Sequence, residues 1–432
     1  MSIFSPDRDD SQALADEMIA EQLAREGFAL NNYFYRSDVI YRRELANIIY
    51  KSWLYAGHIS QIPEIGDYFL FQVVNDSIIV CRDESNQVRT LINSCRHRGA
   101  RVCEETQGNK KTFVCPYHGW VYNTDGSLKH ARDMHADASF SCKHYPLKHV
   151  KMHISHGMIF VNLSETPNDF GSALQIIEPM IAPYQFETAK IAESRTYKIS
   201  ANWKFAVENY VECYHCASSH RKYAKMHTLR EMWCNVEDQV MAMRKRSPGI
   251  TGQSADFVKE DFRIYTNAPA FGCDVSHMRY GLYDGYLTGS EDGQPVAPLL
   301  GTIKGYDGGV ADFQFGPLCF MLTYPDHGVL YSFIPRSHHE TDLHVIWFVN
   351  GDAVEGRDYD REKLSWLWHN TTLEDEYIIS RNAEGALSNC YTPGPLHPTF
   401  EVVEAALISW ILHAIDRRPD KPAQKMRAIR QS

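Results

Sequence analysis

Two short segments constrain this chain more than anything else in it: Cys95-Arg-His97-Arg-Gly and Cys115-Pro-Tyr-His118-Gly-Trp. Each offers one thiol and one imidazole within four residues. Thiolates and imidazoles at such spacing are metal ligands, and to share a site the two segments must meet loop to loop. Their flanks say what carries them. From Gly66 the apolar residues recur with a period of two. Residues 67–74, 77–82 and 88–93 read as strands, parted by turns at Asn75-Asp76 and Glu84-Ser85-Asn86-Gln87. Residues 112–115, 121–123 and 157–163 continue the pattern. The expectation is a small all-β domain over residues 38–165.

Two thiolates on one iron and two imidazoles on the other is Rieske-type ligation of a two-iron two-sulfur cluster, in which neutral imidazoles raise the potential. A Cys2His2 zinc site is the alternative. Short strands around both loops, rather than a strand–helix finger, favour the cluster, with Cys95, His97, Cys115 and His118 as its ligands. Cys81, Cys103 and Cys142 read as ordinary buried cysteines.

A second constellation lies in NWKFAVENYVECYHCASSH, residues 202–220. Trp203, Phe205, Ala206, Val207, Tyr210 and Val211 give the pattern of a buried helix. Glu212 and His215, three apart, would share its face. His215 and His220 are five apart, about 140° round a regular helix, so the helix is expected to end or bend after Cys216. Two imidazoles and one carboxylate make the facial triad of non-heme Fe(II) oxygenases, so a third ligand must come from elsewhere. The bland alternative is a buried helix with two hydrogen-bonded histidines. Cys213 and Cys216 form a C-x-x-C, but a redox pair needs a strand–turn–helix context that the helical pattern here does not give.

Composition narrows the class. A chain of 432 residues accommodates two domains, and a net charge of −10 argues against a nucleic-acid or membrane-surface binder. The acidic N-terminal segment has no apolar core of a signal peptide, and no apolar run is long enough to span a membrane. Eleven cysteines without a framework spacing point to a reducing cytoplasm, as free thiols or metal ligands.

The remaining chain reads as mixed. Helices are expected over residues 11–26, 42–54, 167–184 and 361–382, the last capped by Asp358 or Asp360. Strands are expected at residues 191–200, 313–315, 319–324, 328–335 and 341–349. Residues 221–310, rich in Gly, Tyr and Asp, read as irregular loops over a pocket, with SPGITGQSADF and TGSEDGQPVAP as mobile segments.

With CRHRG and CPYHGWVY in one domain and NWKFAVENYVECYHCASSH in the next, nearly the whole chain resembles the catalytic α subunit of Rieske non-heme iron oxygenases. The resemblance implies an α+β chain: an all-β Rieske iron–sulfur domain at residues 38–165 and a catalytic domain at 1–37 and 166–432. The catalytic domain would be a helix-grip fold, a curved antiparallel sheet around a long C-terminal helix. It implies a 2Fe-2S Rieske cluster, a mononuclear Fe(II), O2 as co-substrate, and a head-to-tail homotrimer. In that trimer the cluster of one subunit feeds the iron of its neighbour through a bridging carboxylate. Glu212 matches that carboxylate and His118 the cluster ligand it would touch; Asn209 joins Glu212 as a candidate catalytic residue. The long helix should supply the missing iron ligand from Glu374, Asp375 or Glu376, and the family's spacing to a helix-ending Gly, here Gly385, selects Asp375. No nucleotide or flavin motif is present, so a separate flavin/iron–sulfur reductase using NAD(P)H is implied.

Within the family, ENYVECYHC and the tail from Val349 to Pro398 are similar to the subgroup that oxidises glycine betaine, stachydrine and carnitine. That implies hydroxylation or oxidative demethylation of a small quaternary ammonium compound. Tyr210, Trp233, Phe315, Phe320 and Tyr324 are candidates to line the pocket, with Tyr210, Phe315, Phe320 and Tyr324 foremost. Arg221 stands where the subgroup has Pro. It, or Arg230, would suit an anionic substrate, so a ring hydroxylase of an aromatic acid is the alternative. A non-enzymatic iron–sulfur carrier would have no use for the second iron site.

Overall fold

The computed structural model describes residues 9–253 and 275–416; the side chains of Arg230 and Trp233 also lie outside the described residues, as does the end of the SPGITGQSADF segment. The chain divides into two compact units, one of residues Trp53–Pro167 and one of the chain before and after it.

The strands of the inner unit all pair antiparallel. Its strands are β1 Leu54–His58, β2 Asp67–Val73, β3 Asp76–Arg82, β4 Val88–Ile92, β5 Gln107–Asn109, β6 Thr112–Val114, β7 Val121–Asn123, β8 Leu128–His130, β9 Lys151–Ser155 and β10 Met158–Asn162. They form sheets in the orders β4-β3-β2-β5, β1-β10-β9 and β6-β7-β8. One core cluster gathers Tyr68, Ile79, Leu91, Phe113, Trp120 and Tyr122 together with Cys95 and Cys115, so both ligand loops are rooted in it.

The outer unit is built on one sheet of β11 Ala189–Ile199, β12 Val275–Gly281, β13 Gly309–Phe315, β14 Cys319–Thr323, β15 Gly328–Ser337 and β16 Glu340–Asn350. Its order is β11-β16-β15-β14-β13-β12. The helices are α1 Gln12–Leu23, α2 Tyr33–Arg36, α3 Asp38–Asn47, α4 Phe170–Leu174, α5 Glu178–Ile181, α6 Trp203–Tyr210, α7 Cys216–Ser219, α8 Arg221–Met226, α9 Trp233–Ile250, α10 Arg361–Ala386 and α11 Val402–Ile415. Asp360 caps α10, its Oδ1 accepting from the backbone N–H of Lys363 at 2.9 Å. The sheet grips this helix: Tyr331 of β15 meets Thr372 at 3.1 Å, and the Tyr197 hydroxyl of β11 meets His369 Nδ1 at 2.6 Å. Among the described residues no helix is long and apolar enough to cross a membrane.

Several expectations change. The unit boundary moves from residue 38 to Trp53, because α3 packs into the outer unit. The buried Glu44 carboxylate accepts from Lys204 Nζ at 2.6 Å and Trp203 Nε1 at 2.9 Å, and Arg43 holds Gln12 of α1 at 2.6 Å. Residues 42–54 are not one helix: α3 stops at Asn47, a 3-10 turn follows at Ile49–Lys51, and Leu54 begins β1. Residues 221–310 are not loop throughout: their described residues hold α8, α9 and β12. The signal was present: Val236, Val240 and Met243 are buried at helical spacing, with Pro248 only in the last turn. The 288–298 segment is tied down, with Thr288 Oγ1 and the N–H of Val296 both on Asp326, at 2.5 and 3.0 Å. The long helix runs past Gly385 to Ala386, and α11 was not anticipated.

Candidate metal centres

In the inner unit the two cysteine–histidine loops repeat one backbone template. The N–H of Cys95 donates to Ala100 and that of Gly99 returns to Cys95, at 2.8 and 2.9 Å. The N–H of Cys115 donates to Trp120 and that of Gly119 returns to Cys115, at 2.8 and 3.0 Å. The return needs a left-handed residue, and Gly99 and Gly119 take φ of 82° and 71°. Both thiols are buried at the base, and the two imidazoles face each other with Nδ1 atoms 3.1 Å apart. His97 stacks on Trp120 and His118 on Tyr117, with ring centroids 5.0 and 3.9 Å apart. The Tyr122 hydroxyl lies 3.3 Å from Cys95 Sγ and accepts from the N–H of Arg96 at 3.0 Å.

Burial raises the Cys115 thiol above its ordinary value and the adjoining Cys95 adds to the rise, against the pull of the Tyr117 and His118 N–H groups. Burial, then His97 and Arg98, lowers His118 toward its neutral form. Two thiols and two imidazoles converging by Sγ and Nδ1 are the donor set a Rieske cluster takes, and its charge would convert the thiols to thiolates.

The second centre lies wholly in the outer unit. Helix α6 ends at Tyr210, earlier than expected, so Glu212 and His215 meet across a turn rather than along a helix face. Glu212 Oε2 accepts from the backbone N–H of Tyr214, and Oε1 takes the His215 Nδ1 proton at 2.5 Å. The same turn brings Cys213 and Cys216 to a Cα separation of 4.9 Å, joined as a disulfide rather than left as free thiols. His220, buried, closes α7.

From α10, Asp375 Oδ1 approaches His220 Nε2 at 2.9 Å and His215 Nε2 at 3.5 Å, and the two Nε2 atoms are 3.1 Å apart. These three ligand atoms lie close enough to hold one cation. Glu374 is not at the convergence point: its Oε2 accepts from His220 Nδ1 at 2.9 Å. Each imidazole thus has its Nδ1 against a carboxylate, which would leave its Nε2 to a metal, the arrangement that orients histidine ligands. The role of Glu374 was hidden because adjacent helix residues stand about 100° apart, which lets Glu374 and Asp375 reach one ring from two sides. Asn209 Nδ2 is 3.5 Å from His215 Nε2.

Burial would lower both histidines, but the carboxylates outweigh it. Asp375 and Glu212 push His215 up to about 9, and Asp375 and Glu374 raise His220. Burial would raise Asp375, yet the two imidazoles hold it low. The cluster of groups attracts positive charge, which a divalent metal supplies.

The aromatic candidates divide by strand parity. Tyr210 packs on Phe320, Tyr331 and Phe333, at 4.4, 5.2 and 5.8 Å between centroids. Tyr324, also on the α10 side, gives its hydroxyl proton to His227 at 2.7 Å. Phe315 is corrected: it lies beside Phe313 on the opposite face, where Phe313 meets Tyr184. Arg221 is exposed on α8.

Comparison with known proteins agrees with this geometry. Residues 52–149 match the Rieske [2Fe-2S] domain, and residues 186–416 match the ring hydroxylating alpha subunit (catalytic domain). The chain is 34% identical over 385 residues to the glycine betaine monooxygenase oxygenase subunit of Pseudomonas aeruginosa, covering 89% of this chain and 88% of that one. Its fold matches the solved structure of a quaternary ammonium Rieske monooxygenase with a TM-score of 0.70 at 20% identity, over 93% and 98% of the two chains. It matches naphthalene 1,2-dioxygenase from Rhodococcus sp. with a TM-score of 0.68 at 18% identity, over 95% and 100%. The chain therefore belongs to the Rieske non-heme iron oxygenase α subunits, with a Rieske [2Fe-2S] domain and a catalytic domain of the kind that binds mononuclear iron.

Proposed function

We propose that this protein is the terminal oxygenase of a multicomponent system that hydroxylates or oxidatively demethylates a small quaternary ammonium, betaine-like compound. What carries the reading is the pairing of cysteine–histidine loops with a His215–His220–Asp375 triad in a chain this similar to a glycine betaine monooxygenase oxygenase subunit. Electrons come from NAD(P)H through a separate flavin/iron–sulfur reductase. When bound, the cluster stores and passes electrons and the mononuclear iron activates O2.

The chain's own residues do the rest. Cys95, Cys115, His97 and His118 hold the cluster. His215 Nε2, His220 Nε2 and Asp375 Oδ1 would hold the iron, Glu212 and Glu374 fix the two rings, and Asn209 Nδ2 stands 3.5 Å from His215 Nε2. Glu212 is the bridge in a head-to-tail homotrimer: it keeps lone pairs able to accept an N–H from the partner subunit's His118. In the net reaction one oxygen atom enters an N-methyl C–H bond and the other leaves as water, consuming two electrons and two protons. The N-hydroxymethyl product then parts into tertiary amine, formaldehyde and a proton.

The test is purified protein with a surrogate reductase and NADH. Glycine betaine, choline and carnitine should include a compound that stimulates NADH use and releases formaldehyde. If all leave NADH use unchanged while a benzoate-like acid stimulates it and is hydroxylated, the substrate is an aromatic acid instead.

A further inference from the structure

A lone carboxylate sits in the middle of the catalytic sheet. Asp312 is the central residue of β13, an interior strand, paired with Met278 of β12 and Leu322 of β14. Every other residue of that strand is buried. A charge in such a position is costly unless something compensates it.

Parity fixes which way Asp312 faces. Phe320 lies opposite Gln314 and Leu322 opposite Asp312, so all four share a face, and Phe320 in turn pairs with Tyr331. On that face Tyr210 of the iron-site segment packs over Phe320, and Tyr331 binds Thr372, one turn before Asp375. The Asp312 charge reaches the same groups. Next to burial, it is what raises the Tyr210 hydroxyl, and it also raises Tyr223 and Tyr280. Tyr223 feels Asp375 as well, and its ring stands 6.4 Å from that of His220. Asp312 thus faces the aromatic side chains, Tyr210 and Tyr223, that also neighbour the iron triad.

No cation answers it among the described residues. Arg279 on the neighbouring strand lies opposite Ala311, on the other face, where it is paired with Asp307 at 2.8 Å. Burial alone acts on the Asp312 carboxyl, which stands near 8. Its side chain nevertheless keeps accessible surface, as does Tyr210, whose hydroxyl makes no hydrogen bond. Enclosed, accessible and unpaired among aromatic rings is the environment that a cation without hydrogen-bond donors requires: a counter-charge on one side and π faces on the others.

We propose that Asp312 is the counter-charge for the ammonium group of the substrate, with Tyr210, Tyr223 and Phe320 around it, and that it sets the preference for cationic over neutral substrates. This rests on the quaternary ammonium reading above. A carboxyl that serves packing alone would make no such distinction.

The experiment compares two molecules of the same shape, glycine betaine and 3,3-dimethylbutanoate, in which a neutral carbon replaces the ammonium nitrogen. Binding to the iron-loaded holoenzyme is measured by calorimetry, and oxidation with reductase and NADH. Wild type should bind betaine at least about tenfold more tightly than the analogue that lacks the charge on nitrogen. Asp312→Asn should weaken betaine about tenfold, leave the analogue unchanged and retain iron and the visible spectrum of the cluster. Asp312→Leu, apolar like its neighbours Met278 and Leu322, should erase the preference and is the second variant should Asn not fold. A preference for betaine that survives in either variant overturns the proposal, as does a wild type that oxidises betaine yet binds both molecules equally. A wild type that neither binds nor oxidises betaine, choline or carnitine fails at the earlier step, the substrate class itself, and takes this proposal with it.

Discussion

The two metal centres solve one problem, holding ligands rigid, by opposite means. In the cluster loops the backbone does the work. Cys95 and Cys115 start the same two-hydrogen-bond loop, and Gly99 and Gly119 close it. Each loop is complete within six residues. In the iron centre side chains do the work, and they come from far apart: His215 leans on Glu212, while His220 leans on Glu374, 154 residues away. A local template tolerates change outside itself. A site assembled across the sequence depends on every element that delivers a ligand.

The strongest break in this comparison is Asp375→Ala. It removes the one carboxylate at the convergence point of the two Nε2 atoms. Mononuclear iron and activity should vanish together, while the visible and EPR signatures of the cluster persist. Iron analysis beside the spectrum checks this, and full iron content with normal turnover would hand the ligand role to another acid.

The same contrast explains what could be read in advance. Most of the longer strands are legible as apolar runs bounded by turns, although β1 reads as helix and β12 as loop, and the cluster loops are contiguous motifs. Glu212, His215 and His220 are close in sequence and were legible too. Asp375 needed the family's spacing, because three adjacent acids on a helix look alike until the fold sets their phase. Phe315 was misplaced because a strand's alternation says which residues share a face but not which face meets α10. Helix α9 carries its signal in Val236, Val240 and Met243, but it reads together with the Gly-, Tyr- and Asp-rich stretch that follows it. Asp312 gave no local signal: a single acid in an apolar strand acquires meaning only from what packs over it.

A finer probe separates the two carboxylates that brace the histidines. Glu374→Gln should weaken iron binding roughly 10–100-fold, the usual cost of losing such a partner, yet leave cluster reoxidation normal once iron is saturating. Glu212→Gln should keep both metals at saturating iron and slow the transfer of electrons from cluster to iron. Iron titration combined with single-turnover oxidation in the presence of substrate distinguishes them. Identical behaviour of the two variants would remove the bridging role of Glu212.

Acid should expose the outer unit's reliance on buried neutral imidazoles. Burial pushes His227 and His277 down to about 3 and His344 to about 4, with Arg279 and Arg336 adding to the last two. The unfolded chain takes up these protons near pH 6.5, the folded chain only well below. Their contribution to stability is therefore complete above about pH 6.5 and is lost as pH falls toward the folded values, by roughly 1.4 kcal/mol per group per pH unit. Over the same window the buried carboxyls of Glu404, Asp312 and Glu208, raised to about 9, 8 and 7, act in the opposite sense, so the histidine contribution is read by difference. Between pH 7 and pH 5 His344→Gln should lose about 2 kcal/mol less stability than wild type, and an identical pH profile in that variant would contradict the account.

The smallest effect belongs to the cluster side, where the template leaves one side chain with a direct hold on a ligand. The Tyr122 hydroxyl lies 3.3 Å from Cys95 Sγ and also accepts the N–H of Arg96. With the thiolate formed, the hydroxyl donates to sulfur and draws electron density from it, which favours the reduced cluster. Tyr122→Phe removes that donor while the loop's backbone bonds, Cys95 to Ala100 and Gly99 to Cys95, remain. The cluster should assemble with unchanged occupancy and a Rieske-type spectrum but a lower reduction potential, read by a redox titration followed through its EPR signal. Failure to assemble would mean that the backbone template is not self-sufficient, and the contrast between the two centres would lose its basis.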